Sequence, residues 1–276
     1  MRVIDPREVN SSFRTFEHLP RRFLHFLMGG NLRITVSDEA QKWLESGEAG
    51  ILAPNHSAYP DPPTVEFAGV VLGLKTKFMA KSTLWWNPVL FWIFWFGNFI
   101  PVRRKNRKKA KNSLLPAKKH LLKDHSRKGG FLSIFRKDRR ARKGGILGIY
   151  PEGLIPHWKE SFDREPGKFR VGVILLQYAT GVVIIPVFQF GARKVMSGGF
   201  FKKFFGVITA WYRKPLRHVH FGDPIKMSTG QMEPADGVYE NVKQDAERFK
   251  EAYMAQWREL DPNSFEGVVI DEPPVL

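Results

Sequence analysis

Gly50-Ile51-Leu52-Ala53-Pro54-Asn55-His56-Ser57-Ala58-Tyr59-Pro60-Asp61-Pro62-Pro63 is the stretch whose reading decides the fold. Its first part is a short apolar run of the kind a buried strand makes. The run ends in a loop that holds His56. Asp61-Pro62-Pro63 then opens a helix predicted to run through Thr64 to Leu72, because a carboxylate suits the N-cap and proline is tolerated in the first turn. Strand, loop and helix in that order are half of an α/β unit, with a histidine and a carboxylate at its corner.

Working outward, the alternation continues. Asn31 to Ser37 alternates apolar and polar side chains and is predicted to be a half-buried strand. Glu39 to Glu45 reads as a short helix stopped near Gly47. Lys75 to Ala80 and Ile146 to Tyr150 read as strands, and Phe169 to Ala179 as a helix ended by Thr180-Gly181. Val182 to Phe190 is apolar almost throughout, as a central strand covered on both faces should be. Val207 to Tyr212 and Leu216 to Phe221 are predicted strands, and Asp236 to Leu260 a long helix. The fold class is therefore α/β, a mixed and largely parallel sheet flanked by helices. An amphipathic helical segment is predicted for residues 1–30, one domain for 31–260 with a basic insertion at 126–145, and a tail at 261–276.

Composition narrows the partners. Among 276 residues, Lys and Arg outnumber Asp and Glu by 44 to 27, a formal charge of +17, which calls for an anionic partner. There is no cysteine, so disulfides, thiolate metal sites and a cysteine nucleophile are excluded. Leu84 to Val102 carries no charged residue and four tryptophans. Asn87, Pro88, Gly97, Asn98 and Pro101 interrupt it, and it barely reaches the ~20 residues that a membrane span needs. It reads as a buried or interfacial helix, with a true span as the alternative. Lys75, Lys77 and Lys81 precede it and Arg103, Arg104, Lys105 and Arg107 follow. An aromatic plug in a basic collar suits an anionic membrane surface. Nucleic acid is not the expected partner, because the aromatics gather in one uncharged block instead of interleaving with the basic residues. Arg107 to Lys123 is predicted to be a basic helix with Leu114, Leu115, Leu121 and Leu122 on its apolar side, limited by Pro116.

His56 and Asp61 can form a base and its orienting carboxylate, because a carboxylate on one imidazole nitrogen leaves the other free to take a hydroxyl proton. A loop histidine beside a helix cap is the plain alternative. Ser57 sits in no Gly-x-Ser-x-Gly elbow, which disfavours serine hydrolase chemistry. His218 and His220 lack the further ligands that a zinc site wants, and no cofactor or metal is expected.

Taken together, four blocks resemble the glycerolipid acyltransferase family, whose best-known members are the lysophosphatidic acid acyltransferases. His56 to Asp61 is similar to its His-x4-Asp motif. Gly97 to Arg103 is similar to its glycine-to-arginine block, Tyr150-Pro151-Glu152-Gly153 to its Phe-Pro-Glu-Gly, and Val183 to Val187 to its apolar strand with proline. The resemblance spans roughly residues 30 to 225. It implies a glycerol-3-phosphate acyltransferase-like fold. It also implies transfer of an acyl group from acyl-CoA or acyl carrier protein to a lysophospholipid hydroxyl, most simply 1-acylglycerol-3-phosphate. His56 and Asp61 would be catalytic, Arg103 would hold the acceptor phosphate, and Glu152 and Gly153 would contact substrate. For Arg103 the alternative is a lipid headgroup, and for Glu152 a structural salt bridge. A phospholipid transacylase and a non-catalytic lipid-binding protein are the competing functions. The expected location is the cytoplasmic face of the cell membrane. One departure bears on substrate: Leu154-Ile155-Pro156-His157 stand where the family commonly has Thr-Arg-Ser, so Arg164, Lys168 or Arg170 would have to supply a second phosphate contact.

Overall fold

Strands that are apolar at every position belong in the middle of a sheet, because both of their faces must be covered. β3 (Gly50–Pro54) is buried at all five residues and β7 (Val183–Phe190) at its six inner ones. They pair in parallel, with Ile51 opposite Ile184 and Ala53 opposite Pro186. The computed structural model describes residues 1–4, 31–56, 61–86, 99–102, 107–123, 144–153, 167–191, 216–227 and 238–260. The remaining strands are β1 (Arg2–Ile4), β2 (Leu32–Val36), β4 (Thr76–Lys81), β5 (Ile100–Val102), β6 (Ile146–Gly148) and β8 (Arg217–Phe221). The sheet order is β1-β2-β8-β7-β3-β6-β4-β5. From β7 to β5 all neighbours are parallel; β8 is antiparallel to β7, β2 is parallel to β8, and β1 is antiparallel to β2. The expected mixed, largely parallel sheet is what forms.

Proline has no amide hydrogen to give a central ladder. Pro186 is accommodated because the antiparallel pairing of β7 with β8 ends at Val187 opposite Phe221 and resumes only at the Ile184–Ile225 bridge. At Gly148 on β6, the Phe78 ring of β4 occupies the space that a Cβ would need.

Helices cover both faces. On one lie α1 (Asp38–Ser46) and α2 (Asp61–Val71), which bury Trp43, Leu44, Val65 and Ala68 against Ile34, Leu52 and Val187. The Ser37 hydroxyl caps α1 by accepting from the Ala40 amide at 3.1 Å, and Gly47 ends it in the left-handed region at φ 70°. On the other lie α3 (Arg107–Leu121), α4 (Gly172–Thr180) and α5 (Val238–Glu259). There Tyr253 of α5 meets Phe188 edge-on at 4.8 Å and donates from its hydroxyl to the Val187 carbonyl at 3.3 Å. Aromatic pairs of this geometry add about 1 kcal/mol each beyond the area they bury.

Four expectations change. Residues 2–4, placed in a helical segment, form edge strand β1, and the Met1 ammonium pairs with Asp38 at 3.0 Å. The rest of that segment lies outside the described residues, as do 126–143, 207–212 and the tail. The described ends of the uncharged stretch are not α-helical: Ser82–Trp86 is a 3-10 turn and Ile100–Val102 pairs with the open edge of β4, while 87–98 lie outside the described residues. No described helix is long and apolar enough to cross a membrane. Pro116 lies inside α3 on its exposed side and does not end it, and only Leu121 of the four leucines is fully buried; Leu115 and Leu122 face outward.

His218 and His220 of β8 face the Thr35 hydroxyl of β2. The Thr35 hydroxyl of β2 lies 2.6 Å from Nε2 of His218 and 2.8 Å from Nδ1 of His220, and all three residues are buried. Burial pushes His218 down to about 3, helped by the positive field of His220 and Arg33. It pushes His220 down to about 4, with Asp223 opposing. Both are neutral when folded, whereas the unfolded chain takes up protons below the ordinary value of 6.5. Stability is therefore complete above that value and is lost as the pH falls toward the depressed ones, by up to about 1.4 kcal/mol per pH unit for each histidine. Urea unfolding between pH 7 and pH 4 is expected to show this slope, and the double substitution His218→Gln, His220→Gln to flatten it.

Candidate active site

In a parallel sheet the functional loops leave from the carboxyl ends of the strands. β3 and β6 are neighbours in the ladder, so the loop that starts at Asn55 and the turn at Tyr150-Pro151-Glu152-Gly153 emerge side by side. Pairing continues past the last ladder residues: the Ile149 amide donates to the Leu52 carbonyl at 2.9 Å and the Asn55 amide to the Val187 carbonyl at 3.2 Å.

Asn55 fixes where the loop begins. Its side-chain oxygen accepts from the Gln189 amide at 2.7 Å, and its side-chain nitrogen donates to the Gln189 carbonyl at 3.3 Å. In return, the Gln189 side chain donates to the Asn55 carbonyl at 2.9 Å. Both residues are buried. One carboxamide thus satisfies the backbone donor and acceptor that a further ladder residue would have paired. The sequence reading assigned Asn55 no role; a carboxamide at the end of an apolar strand was the available signal.

The next residue is His56. His56 Nδ1 donates to Asp61 Oδ2 at 3.2 Å, and Asp61, the first residue of α2, is fully buried. An ionised carboxylate only accepts, so the proton sits on Nδ1 and the lone pair on Nε2. The His56 side chain keeps 14% of its surface exposed, enough for a small group to reach it. The Tyr150 ring lies against the imidazole, with centroids 4.2 Å apart and planes tilted by 34°. The imidazole and the carboxylate thus meet, which is the contact that a base and its orienting acid would need.

Glu152 is bound by backbone amides. Oε1 accepts from the His56 backbone amide at 3.0 Å and Oε2 from the Gly167 amide at 3.1 Å. Each carboxylate oxygen therefore accepts a backbone hydrogen bond. Burial pushes its carboxyl up, and the two amides together with the field of His56 pull it back toward the charged form. Gly153 follows in the left-handed region at φ 70°, and a Cβ there would approach Arg170 Cδ to 2.8 Å. The Arg170 amide donates to the Pro151 carbonyl at 2.8 Å and its Nε to the Glu152 carbonyl at 3.3 Å. Gly153 is thus required by the packing of the turn.

Arg103, Arg164 and the loop residues 57–60 lie outside the described residues. Strand β5, which leads to Arg103 in the sequence, ends on the same edge of the sheet as β3 and β6. Among the described residues, no group of three or more His, Cys, Asp or Glu is placed to hold a metal ion.

A family model described as Acyltransferase matches residues 33–189, which takes in the strand-end histidine, the Glu152 turn and β7. The chain belongs to the acyltransferase family. It is similar, at 22% identity over 191 residues, to the chloroplastic 1-acyl-sn-glycerol-3-phosphate acyltransferase LPAT1 of Arabidopsis thaliana, with 67% of this chain and 46% of that one covered. A second relative, the chloroplastic 1-acyl-sn-glycerol-3-phosphate acyltransferase BAT2 of Brassica napus, is again 22% identical, with 67% and 47% covered. The matched region spans about half the length of these relatives. Among solved structures, the 1-acyl-sn-glycerophosphate acyltransferase PlsC of Thermotoga maritima superposes with a TM-score of 0.44 at 16% identity, covering 86% of this chain and 77% of that one.

Removing the Asn55 carboxamide strips partners from two buried backbone groups of Gln189. Each costs roughly 1–3 kcal/mol when left unsatisfied, so Asn55→Ala is expected to lose about 3 kcal/mol of unfolding free energy in urea titration. Amide exchange at Gln189 is expected to quicken in the same variant.

Proposed function

We propose that the chain transfers a fatty acyl group from a thioester donor, acyl-CoA or acyl carrier protein, to the free hydroxyl of a lysophospholipid. The first acceptor to test is 1-acylglycerol-3-phosphate. The observation that carries this reading is the His56–Asp61 pair in a chain of this family, with Nδ1 on a fully buried carboxylate and the imidazole still reachable.

The steps follow from that geometry. His56 Nε2 takes the proton of the acceptor hydroxyl as its oxygen bonds to the thioester carbonyl carbon. Asp61 holds the tautomer and stabilises the imidazolium. The tetrahedral adduct collapses, the carbon–sulfur bond breaks, and the imidazolium returns its proton to the departing thiolate. No covalent enzyme intermediate is needed. Arg103 is proposed to hold the acceptor phosphate, for which a guanidinium fork is well matched. Glu152 serves through the His56 backbone, not on the substrate.

The reaction is proposed to take place on an anionic membrane surface, at the cytoplasmic face of the cell membrane, where the lysophospholipid acceptor would reside. The formal charge of +17 supports this, as do Trp86 at 87% exposure, the exposed Leu115 of the lysine-rich helix α3 and the exposed Leu122 just after it. Exposed apolar side chains among cations suit a headgroup interface.

Purified protein in detergent, given labelled acyl-CoA and a panel of lysophospholipids, is expected to acylate at least one acceptor. His56→Ala should lose about a thousandfold in kcat; full activity in that variant would refute the mechanism. In flotation with vesicles, binding is expected to fall when salt rises from low to about 0.5 M if anionic lipid is present, because screening weakens exposed charge pairs. Equal flotation with neutral vesicles would show that charge plays no part.

A further inference from the structure

A hydrogen bond at one ring nitrogen leaves the imidazole free to swing about the Nδ1···Oδ2 axis. Asp61 therefore fixes the edge of the ring and not its plane. Glu152 fixes the backbone amide of His56 and does not touch the ring. What bounds the face of the ring is Tyr150, with centroids 4.2 Å apart and a tilt of 34°.

Tyr150 is itself firmly placed. It follows β6, the preceding Ile149 amide bonds to β3, and the Tyr150 carbonyl accepts from the Gly153 amide at 3.0 Å. Phe78 of β4 backs it at 6.1 Å with a 31° tilt. Its hydroxyl oxygen is sealed from solvent near Gln189, without a well-formed hydrogen bond. A hydroxyl so enclosed does not reach a substrate, so the working part is the ring. Burial, reinforced by the negative charges of Asp61 and Glu66, holds the phenol well above its usual range and keeps it neutral. The ring therefore presents the same electron-rich face at every pH at which proteins are assayed.

We propose that Tyr150 is a positioning residue for His56, its ring setting the plane of the imidazole and stabilising the imidazolium that forms when the base takes a proton. A cation within about 6 Å of an aromatic centroid is attracted by the ring quadrupole, and the effect strengthens where water is excluded. Because charge appears on His56 only after proton transfer, the ring favours the transition state over the resting enzyme. The charged groups facing the imidazole among the described residues are Asp61 at Nδ1 and Glu152 at the backbone amide, with Arg170 beyond at the Glu152 carbonyl. All of these are retained when only Tyr150 is changed.

This inference rests on the reading of His56 as base, and its primary test needs no turnover. The imidazole C2–H resonance of His56, assigned by its absence in His56→Ala, is titrated in the full chain in detergent. Tyr150→Leu is expected to move the titration midpoint down by roughly half to one pH unit, because the charged ring loses its aromatic partner. Tyr150→Phe should restore it to within about 0.2 units, given that the two rings are close in quadrupole. If the leucine variant does not fold, pentafluorophenylalanine at position 150 keeps the shape of phenylalanine and reverses the quadrupole, and it should give the same downward shift. Midpoints that coincide in wild type and in the leucine or the pentafluorophenylalanine variant would overturn the proposal. In turnover assays Tyr150→Leu should lower kcat about tenfold with the acceptor KM within twofold, and the acid limb of the pH–rate profile should move to lower pH. Turnover that survives in His56→Ala would sink the reading of His56 as base, while the titration would still decide whether Tyr150 stabilises the imidazolium.

Discussion

The exchange of hydrogen bonds between Asn55 and Gln189 is the constraint on which the site depends. A parallel ladder stops where the next residue turns away, and the exposed backbone groups of its neighbour then need partners. Here the Asn55 carboxamide supplies them, so β3 and β7 remain locked up to the residue before His56. Everything beyond inherits that precision. Only a five-residue interval separates His56 from Asp61, and it closes onto a 3.2 Å contact because both of its ends are held, one by the sheet and one by helix α2.

Two carboxylates serve one histidine, and their work is divided by which part of it they meet. Asp61 takes the side chain and Glu152 the backbone amide. Burying Glu152 is costly, and the costs are visible in its upward push; two amide donors and the nearby imidazole offset them. A neutral glutamine could not replace it well, since one of its two terminal atoms is a donor and would face an amide hydrogen. On the proposed reading of His56 as base, the charge that forms when it takes a proton lies between two acidic groups already in place, so little reorganisation is required.

Much of this was legible because it is local. The run from Gly50 to Asp61 names a strand, a loop histidine and a helix start in order, and the His56–Asp61 contact spans only five residues. Val183 to Phe190 announced a central strand by being apolar throughout. What was hidden depends on pairing between distant segments. The partner of Glu152 is fixed by the adjacency of β3 and β6, which join residues almost a hundred apart, and Asn55 and Gln189 meet only because β7 pairs with β3. β1 and β5 have three residues each, too few for any period to show, and β5 was further concealed inside an apolar stretch that reads equally well as helix. In α3 the leucines follow a helical repeat, but the side that faces the core is set by β5 and α4, which the repeat does not specify.

The turn after β6 is fixed by its own backbone and by Arg170. Gly153 is demanded twice over, by a positive φ and by Arg170 lying where a Cβ would go. Arg170 in turn donates to the Pro151 and Glu152 carbonyls, so it braces the residue that holds the His56 amide. Leu154 to His157, where the sequence leaves the family's common pattern, lie outside the described residues. The support of the His56 amide is built from residues on either side of them: Glu152 before, and Gly167 and Arg170 after. Changes confined to that stretch would therefore leave both anchors of the Glu152 carboxylate in place, because each is a backbone amide outside it.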